Sequence, residues 1–345
     1  MTLDSLIKNF KWRLSKIFLS VEKRLWNNVT NLNKRFKKGE IIPLNEYSTI
    51  ATIKQSPSKR AVCIFDGKTR NGGLADRLRG IVSVYQICKE QNLEFKILFT
   101  SPFNLSEFIE PNIIDWRITE QELNYNTTIA DLCYIDTLSG SDYEAKKQEQ
   151  WFRREFKKKY NEFHVRSNAI FSYNGDYSTL FNELFKPSPK LQSSIEKQKK
   201  ILGTSYISTS FRFMNLLDDF NETVELHGKL TKEEQEGLIT KNIEQLQMLH
   251  NKYPEKRILV NSDSTTFLQS AEELDYVYVI PGNITHIDGK NDKDEYSAYE
   301  KTFLDFFMIA NAEKIYLLRT GQMYDSGYPF AASKIYNKPF EKIEF

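Results

Sequence analysis

The chain has 345 residues, of which 40% are hydrophobic and 13% aromatic, so it is long enough for two domains and apolar enough to build their cores. This composition excludes wholesale disorder. The formal net charge is only +2, but residues 1–40 hold ten basic and three acidic residues, so the remainder is mildly acidic and unlike a nucleic-acid-binding surface.

The first 40 residues have the pattern of a basic amphipathic helix. Apolar side chains recur at spacings of three and four over residues 3–36, with lysines and arginines between them. We predict that residues 1–40 form a helical arm lying on the inner face of the cytoplasmic membrane, where each basic residue contributes about 1 kcal/mol. The alternative is an ordinary helix that packs on the body of the protein or on a second subunit.

The compartment is predicted from the cysteines and from the hydropathy of the chain. Cys63, Cys88 and Cys133 lie among apolar neighbours without metal-ligand spacing, which is typical of reduced, buried thiols in a cytosolic protein. No apolar run approaches the roughly 18 residues that a membrane span needs. We therefore expect a cytoplasmic protein that is peripheral to the membrane.

A glycine-rich turn follows the first predicted strand of the body. Residues 41–58 are predicted as a linker, and residues 59–195 as a first Rossmann-like domain that begins with strand 61–65, helix 74–91 and strand 95–99. Gly72 and Gly73 allow the backbone to approach a ligand, and the helix that follows them favours an anion. Asp76 and Arg77 lie on its first turn; the alternatives are an acid that interacts with the helix dipole and a solvated arginine.

The rest of the first domain is less regular. We predict a strand at 129–135, an exposed helix at 142–162 and a helix at 190–201, with the domain junction within 187–204. Four histidines occur in the whole chain, each isolated from metal-ligand patterns, and we expect all of them on the surface or in loops: His164, His227, His250 and His286.

The second half, residues 196–345, alternates strands with helices. Strands at 206–211, 257–261, 276–280 and 314–318 predict a doubly wound parallel sheet, whose strand ends are where such sheets bind ligands. Arg212 directly follows the first of these strands, and Asn215 lies three residues later. The alternative role for Arg212 is a structural ion pair with Asp218 or Asp219.

Asp263 follows the second of these strands within the sequence Ser262-Asp263-Ser264. Its carboxylate suits a ribose hydroxyl or a base N–H group, but the same three residues also suit the N-cap of the next helix. Both interpretations remain open at the level of the sequence.

Three stretches together resemble the GT-B fucosyltransferase superfamily. They are the glycine-rich run 72–80, the strand end Ser210-Phe211-Arg212, and the run from Thr320-Gly321 through Ser326-Gly327 to Ala332. This superfamily includes bacterial α-1,2-fucosyltransferases, the rhizobial nodulation α-1,6-fucosyltransferase, plant xyloglucan fucosyltransferases and protein O-fucosyltransferases. The order and spacing match over roughly residues 60–340. One departure is Ser210, which stands where the His-x-Arg signature of the family has histidine.

The resemblance implies an α/β protein of the GT-B type, with two Rossmann-like domains facing a cleft. It implies an inverting glycosyltransferase that moves fucose from GDP-fucose to a saccharide acceptor in surface polysaccharide synthesis. The basic arm suits an acceptor carried on a lipid at the inner leaflet. Arg212 would stabilise the departing diphosphate, and Asp76 would act as the base. The expected donor-binding residues are Gly72, Gly73, Arg77, Asn215, Asp263, Thr320, Gly321, Ser326 and Gly327.

No cofactor or metal is expected. The sequence Asp292-Lys293-Asp294 imitates a divalent-metal motif, but it lies in a loop of alternating charge with no strand directly before it, which favours a solvated loop. Two alternative functions stay open, and the replacement of the signature histidine by Ser210 favours the first of them. The first is the same fold with another nucleotide-sugar donor, and the second is a non-catalytic nucleotide-binding scaffold at the membrane.

Overall fold

The structure is a computed structural model, and it describes residues 34–37, 40–43, 46–54, 58–69, 71–134, 142–166, 176–219, 230–285 and 296–345. The predicted helix of the arm lies outside the described residues as far as residue 33. Strand β1 (Lys34–Lys37) pairs antiparallel with β2 (Glu40–Pro43). The helix prediction is therefore wrong at residues 34–36, because their main-chain groups pair with a neighbouring strand instead of along a helix.

The first half of the body contains a four-stranded parallel sheet with the order β4-β3-β7-β6. Its central strand β3 is buried along its whole length, as expected of a parallel strand covered on both faces. The elements in chain order are β3 (Arg60–Phe65), α1 (Leu74–Gln91), β4 (Glu94–Phe99), β5 (Ile109–Pro111), β6 (Ala130–Cys133), α2 (Asp142–Glu155), β7 (Glu162–Val165), α3 (Tyr177–Leu184), β8 (Phe185–Pro187) and α4 (Pro189–Leu202).

The second half contains a five-stranded parallel sheet with the order β11-β10-β9-β12-β13. The order of the strands reverses between β9 and β12, and such a switch point opens a crevice at the carboxyl ends of the two strands. The elements are β9 (Tyr206–Phe211), α5 (Lys232–Lys252), β10 (Arg257–Ser262), α6 (Thr265–Glu272), β11 (Val277–Tyr278), α7 (Tyr296–Asn311), β12 (Lys314–Arg319), α8 (Tyr328–Ile335) and β13 (Phe340–Glu344).

Two predictions for the first half are wrong in detail. The helix predicted as exposed over 142–162 ends at Glu155, and the side chains of Phe152 and Phe156 are buried against the sheet. His164 is fully buried on β7 instead of lying on the surface. The many polar residues of the helical segment hide its buried aromatic face, and His164 is buried because Tyr47 and Glu162 satisfy both of its ring nitrogens.

The halves share one hydrophobic core. Helices α7 and α8 of the second half pack against α1, α3 and α4 of the first half. The ring of Phe303 on α7 stacks on Phe108 with 4.4 Å between the centroids, and Tyr299 lies 4.8 Å from Phe103. This packing fixes the two sheets relative to each other. None of the described helices is long and apolar enough to cross a bilayer.

Candidate functional site

A cleft of about 680 Å³ lies at the switch point of the second sheet. Its lining includes the glycine-rich loop and start of α1 (72–76), the ends of β9 and β10 (210–212 and 261–263) and the start of α8 (326–329). Residues 283–285, Tyr324 and one side of α7 complete it. The volume is that of a small-molecule site, and the cleft brings together two of the three stretches on which the family resemblance rests, with part of the third.

Arg212 lines this cleft and is held there by a buried carboxylate. Its Nη1 lies 3.3 Å from Oδ2 of Asp263, and the guanidinium side chain is 17% exposed. Asp263 also accepts hydrogen bonds from the amides of Phe213, at 2.8 Å, and Met214, at 2.6 Å. The carboxylate therefore fixes the turn after β9 as well as the cation, which leaves Arg212 with a defined position facing the cleft.

The ion pair is thus made with Asp263 and not with either aspartate of the alternative interpretation. Asp219 instead accepts from the hydroxyl of Ser264 and from the amide of Thr266 at the start of α6. Ser264 is the N-cap of that helix, so Asp263 is not used as a cap. Burial raises the pKa of Asp263, against the opposing effects of Arg212 and the two amides. We assign Asp263 to the positioning of Arg212.

The glycine-rich loop is supported from behind by Arg77. This side chain is buried, and it donates from Nε to the carbonyl of Gly72 at 2.7 Å and from Nη1 to the carbonyl of Ser101 at 3.0 Å. Its guanidinium also lies over the rings of Phe65 and Phe99. Arg77 lies behind the cleft lining and supports the loop, and because it is buried it is not the solvated residue of the alternative interpretation.

Asp76 lines the cleft on the same side as the loop. Its carboxylate is 43% exposed, and Oδ1 lies 3.1 Å from Nη2 of Arg79, one turn further along α1. An exposed ion pair of this kind is weak and leaves the carboxylate accessible from the cleft. The geometry is compatible with the predicted base.

The late motif is divided by the structure. Ser326 and Gly327 line the cleft at the start of α8, and the N-terminus of a helix favours an anion. Thr320 and Gly321 are outside the lining: the Thr320 hydroxyl bonds the carbonyl of Phe345, and Gly321 has φ of +55°, so these residues form the turn after β12. Asn215 is also outside the lining, in the turn that follows Arg212.

A buried polar network in the cleft wall was not predicted. Lys301 and Asp305, one turn apart on α7, form an ion pair of 3.1 Å, and Asn261 at the end of β10 donates to Asp305 at 2.7 Å. Lys301 also donates to the carbonyl of Ile280 at 2.6 Å. Burial raises the pKa of Asp305, against the opposing effects of Lys301 and Asn261. Lys and Asp four residues apart in an otherwise apolar helix are a signal that sequence analysis can use.

The structure offers no metal site among the residues that it describes, because no three His, Cys, Asp or Glu side chains converge there. The pair Asp292 and Asp294 lies outside the described residues. The lining of the cleft includes two cations, the buried Lys301 and the partly exposed Arg212.

The fold is shared with known fucosyltransferases. The chain superposes on fucosyltransferase NodZ from Bradyrhizobium with a TM-score of 0.51 and 12% identity, covering 83% of this chain and 94% of that one. It superposes on NodZ α-1,6-fucosyltransferase soaked with GDP-fucose with a TM-score of 0.50 and 11% identity, covering 80% and 92%. POFUT1 in complex with GDP gives a TM-score of 0.49 and 11% identity, with 84% and 99% covered.

No protein-family model matches the chain, and no curated protein sequence matches it. The likeness is therefore one of architecture. The two-domain GT-B fold predicted from the three motifs is confirmed, and the chain has the fold of these fucosyltransferases.

Proposed function

We propose that the protein is a glycosyltransferase that moves a sugar, with inversion, from a nucleotide-sugar donor to a saccharide acceptor, and that the donor is GDP-fucose. The observation that carries the proposal is Arg212, a guanidinium held by Asp263 at the switch point of a nucleotide-binding sheet and facing a cleft of small-molecule size. The shared fold with a NodZ enzyme that was soaked with GDP-fucose supports this choice of donor.

The chemistry follows from what glycosyl transfer requires. As the bond to the sugar breaks, negative charge develops on the diphosphate, and a fixed cation aimed at that position lowers the barrier. The planar guanidinium of Arg212 can bind two phosphate oxygens at once. The amides of Ser326 and Gly327 at the start of α8 add partial positive charge on the same side. We propose that these groups suffice without a metal ion.

The incoming hydroxyl must lose a proton, and Asp76 is the candidate to accept it. It lies across the cleft on the glycine-rich loop side, with a carboxylate accessible to an acceptor that enters from solvent.

Two alternative functions are another nucleotide-sugar donor and a scaffold without catalysis. Ser210 stands at the signature histidine position and lines the cleft, so a different nucleotide sugar is the second candidate donor. A chain that binds such a nucleotide without turnover would be a scaffold. Hydrolysis and binding assays with a panel of GDP-, UDP-, CDP- and dTDP-sugars separate the three functions.

The wider role is also a proposal. The basic residues of 1–40 support attachment of a cytoplasmic protein to the inner leaflet, where lipid-linked saccharides for a surface polysaccharide are built. Deletion of residues 1–40 tests the attachment. A truncated protein that still sediments with vesicles containing anionic lipid would refute this role for the arm.

Arg212 is tested by substitution with alanine and with lysine. Loss of a group that stabilises charge in the transition state lowers kcat by about 100- to 1000-fold, so the kcat of Arg212→Ala should be at least that much lower than that of the wild type. Arg212→Lys keeps the charge without the planar fork, so its kcat should lie between those of the wild type and Arg212→Ala. Turnover is measured as release of GDP from GDP-fucose.

Arg257→Ala is the matched control. Arg257 begins β10 at the opposite end of the sheet, where it donates to the carbonyl of Ile201 at 3.0 Å. Its loss removes a comparable hydrogen bond without touching the cleft, so turnover should stay near that of the wild type. A folded Arg212→Ala protein with near-normal turnover would contradict the proposed role of Arg212.

A further inference from the structure

Tyr324 is a large side chain that the fold leaves uncovered. Seven large apolar or aromatic side chains in the described part of the chain are well exposed, and among them Tyr324, at 45%, is the one that lines the cleft. Burial of an aromatic side chain stabilises a fold by a few kcal/mol, so leaving it half exposed brings no gain in stability. An exposed aromatic residue inside a binding cleft is instead typical of ligand contact.

The loop that carries Tyr324 is fixed at both sides of the residue. The side chain of Met323 is buried, with 1% exposed, and Nζ of Lys342 lies 2.9 Å from Oδ2 of Asp325. The amide of Tyr324 itself donates to the carbonyl of Arg212 at 2.9 Å. The position of Tyr324 relative to Arg212 is therefore set by the backbone, and the aromatic residue stands beside the cation proposed to bind the diphosphate.

The cleft has an enclosed wall and an open rim. Ser210, Lys301 and Asp305 are 3–6% exposed and provide hydrogen-bonding groups deep in the cleft. Tyr324 and Asp76 line its accessible part. A hydroxyl acceptor arrives from solvent, so the carbon that it attacks must face the rim. The transferred sugar then lies on the accessible side of the diphosphate, and the nucleoside lies towards the enclosed wall.

We propose that the ring of Tyr324 is the platform on which the transferred sugar of the donor rests, with the apolar C–H face of a pyranose packed on the ring. This inference rests on the proposed function, since it takes the diphosphate to be bound at Arg212. A sugar ring has one face of C–H groups that is poorly hydrated, and an aromatic ring covers it while the hydroxyls at the edge stay hydrogen-bonded. Tyr324 is then a specificity-determining residue for the donor sugar.

The test compares a nucleotide with its nucleotide sugar in two variants. The wild type, Tyr324→Phe and Tyr324→Ala are each titrated calorimetrically with GDP and with GDP-fucose. Tyr324→Ala should lower the affinity for GDP-fucose by about tenfold and leave the affinity for GDP within about twofold of the wild type, because only the sugar contacts the ring. Tyr324→Phe keeps the ring and should leave both within about threefold. The melting temperatures should be similar, since the side chain is half exposed.

Other outcomes overturn the proposal. Equal weakening of GDP and GDP-fucose by Tyr324→Ala would place the ring against the nucleoside, and unchanged affinity for both would remove it from the donor site. A wild-type protein that binds neither compound would refute the proposed donor instead. The same titrations with UDP and UDP-glucose would then decide the role of the ring.

Discussion

At the scale of single residues, His164 is buried between a hydroxyl and a carboxylate. Its Nε2 lies 2.6 Å from Oε1 of Glu162, and its Nδ1 lies 2.6 Å from the hydroxyl of Tyr47. An ionised carboxylate only accepts, so Nε2 carries the proton and Nδ1 accepts from Tyr47; this tautomer is assigned from the partners. Burial lowers the pKa of His164, although Glu162 opposes this effect. The imidazole is therefore neutral in the folded protein at neutral pH.

This histidine makes stability depend on pH. In the unfolded chain it binds a proton with a pKa near 6.5, whereas in the folded chain it does so only at lower pH, so acidification below 6.5 favours unfolding. The free energy of unfolding should fall by up to about 1.4 kcal/mol per pH unit from this residue. Urea unfolding followed by circular dichroism at pH 7.5, 6.5 and 5.5 measures the slope.

Two variants isolate the contribution of the imidazole. His164→Gln should flatten the dependence between pH 6.5 and 5.5, because no group with that pKa remains at the site. Tyr47→Phe removes the hydroxyl but keeps the buried imidazole, so the slope should persist. Parallel curves for the wild type and His164→Gln would show that another group controls stability in this range.

Single residues also show where sequence analysis succeeds. The position of Arg212 in the cleft was predictable because the residue follows a predicted strand at the sheet edge where ligands bind, and that placement needs no tertiary information. Lys301 and Asp305 were missed because they lie inside a helix, where only the packing of α7 reveals that they face a cleft. Arg77 was correctly placed beside the glycine-rich loop, but its hydrogen bond to the carbonyl of Ser101 was not predictable because Ser101 comes from a distant segment.

At the scale of elements, the cleft depends on how α1 holds the loop before it. Arg77 makes two hydrogen bonds, one to the loop at Gly72 and one to Ser101 after β4, and the pair requires the planar fork of a guanidinium. Arg77→Lys keeps the charge but cannot make both bonds from the same position. We expect a loss of about 1.5–3 kcal/mol in the free energy of unfolding, and weaker binding of GDP-fucose because the loop is no longer fixed.

Arg79→Lys on the same helix is the control for this prediction. Its partner Asp76 is exposed, so the change should cost less than about 0.5 kcal/mol. Urea unfolding gives the stability of each variant, and calorimetry gives the affinity for GDP-fucose. Equal stability of the two variants would show that Arg77 does not support the loop.

Elements with strong local signals were predictable, and those defined by distant partners were not. The capping box at Thr231, which begins α5, is present, with the Thr231 amide 2.7 Å from Glu234 Oε2. Strand β13 was missed because its edge position comes only from pairing with β12. Strand β1 was misread as helix because its basic and apolar residues also match a helical period.

At the scale of the whole molecule, the shared core predicts that the halves unfold together. Proteins with two separate domains often unfold in two steps, but α7 belongs to the second half and packs in the core of the first. All four tryptophans precede the second half, at positions 12, 26, 116 and 151, so tryptophan fluorescence reports on the first part of the chain. Circular dichroism reports on both.

A substitution that leaves a cavity far from the first half tests whether the two halves unfold together. Phe267 on α6 is fully buried in a core cluster made only of residues from the second half, with its ring 4.5 Å from that of Phe211. Phe267→Ala should cost about 3–5 kcal/mol through lost contacts and the cavity left behind. If the halves form one cooperative unit, the urea midpoint measured by tryptophan fluorescence falls as far as the midpoint measured by circular dichroism.

Phe303→Ala, at the junction itself, should lower both midpoints as well. A fluorescence transition that stays in place in Phe267→Ala, while part of the circular dichroism signal is lost at lower urea, would show that the junction does not couple the halves.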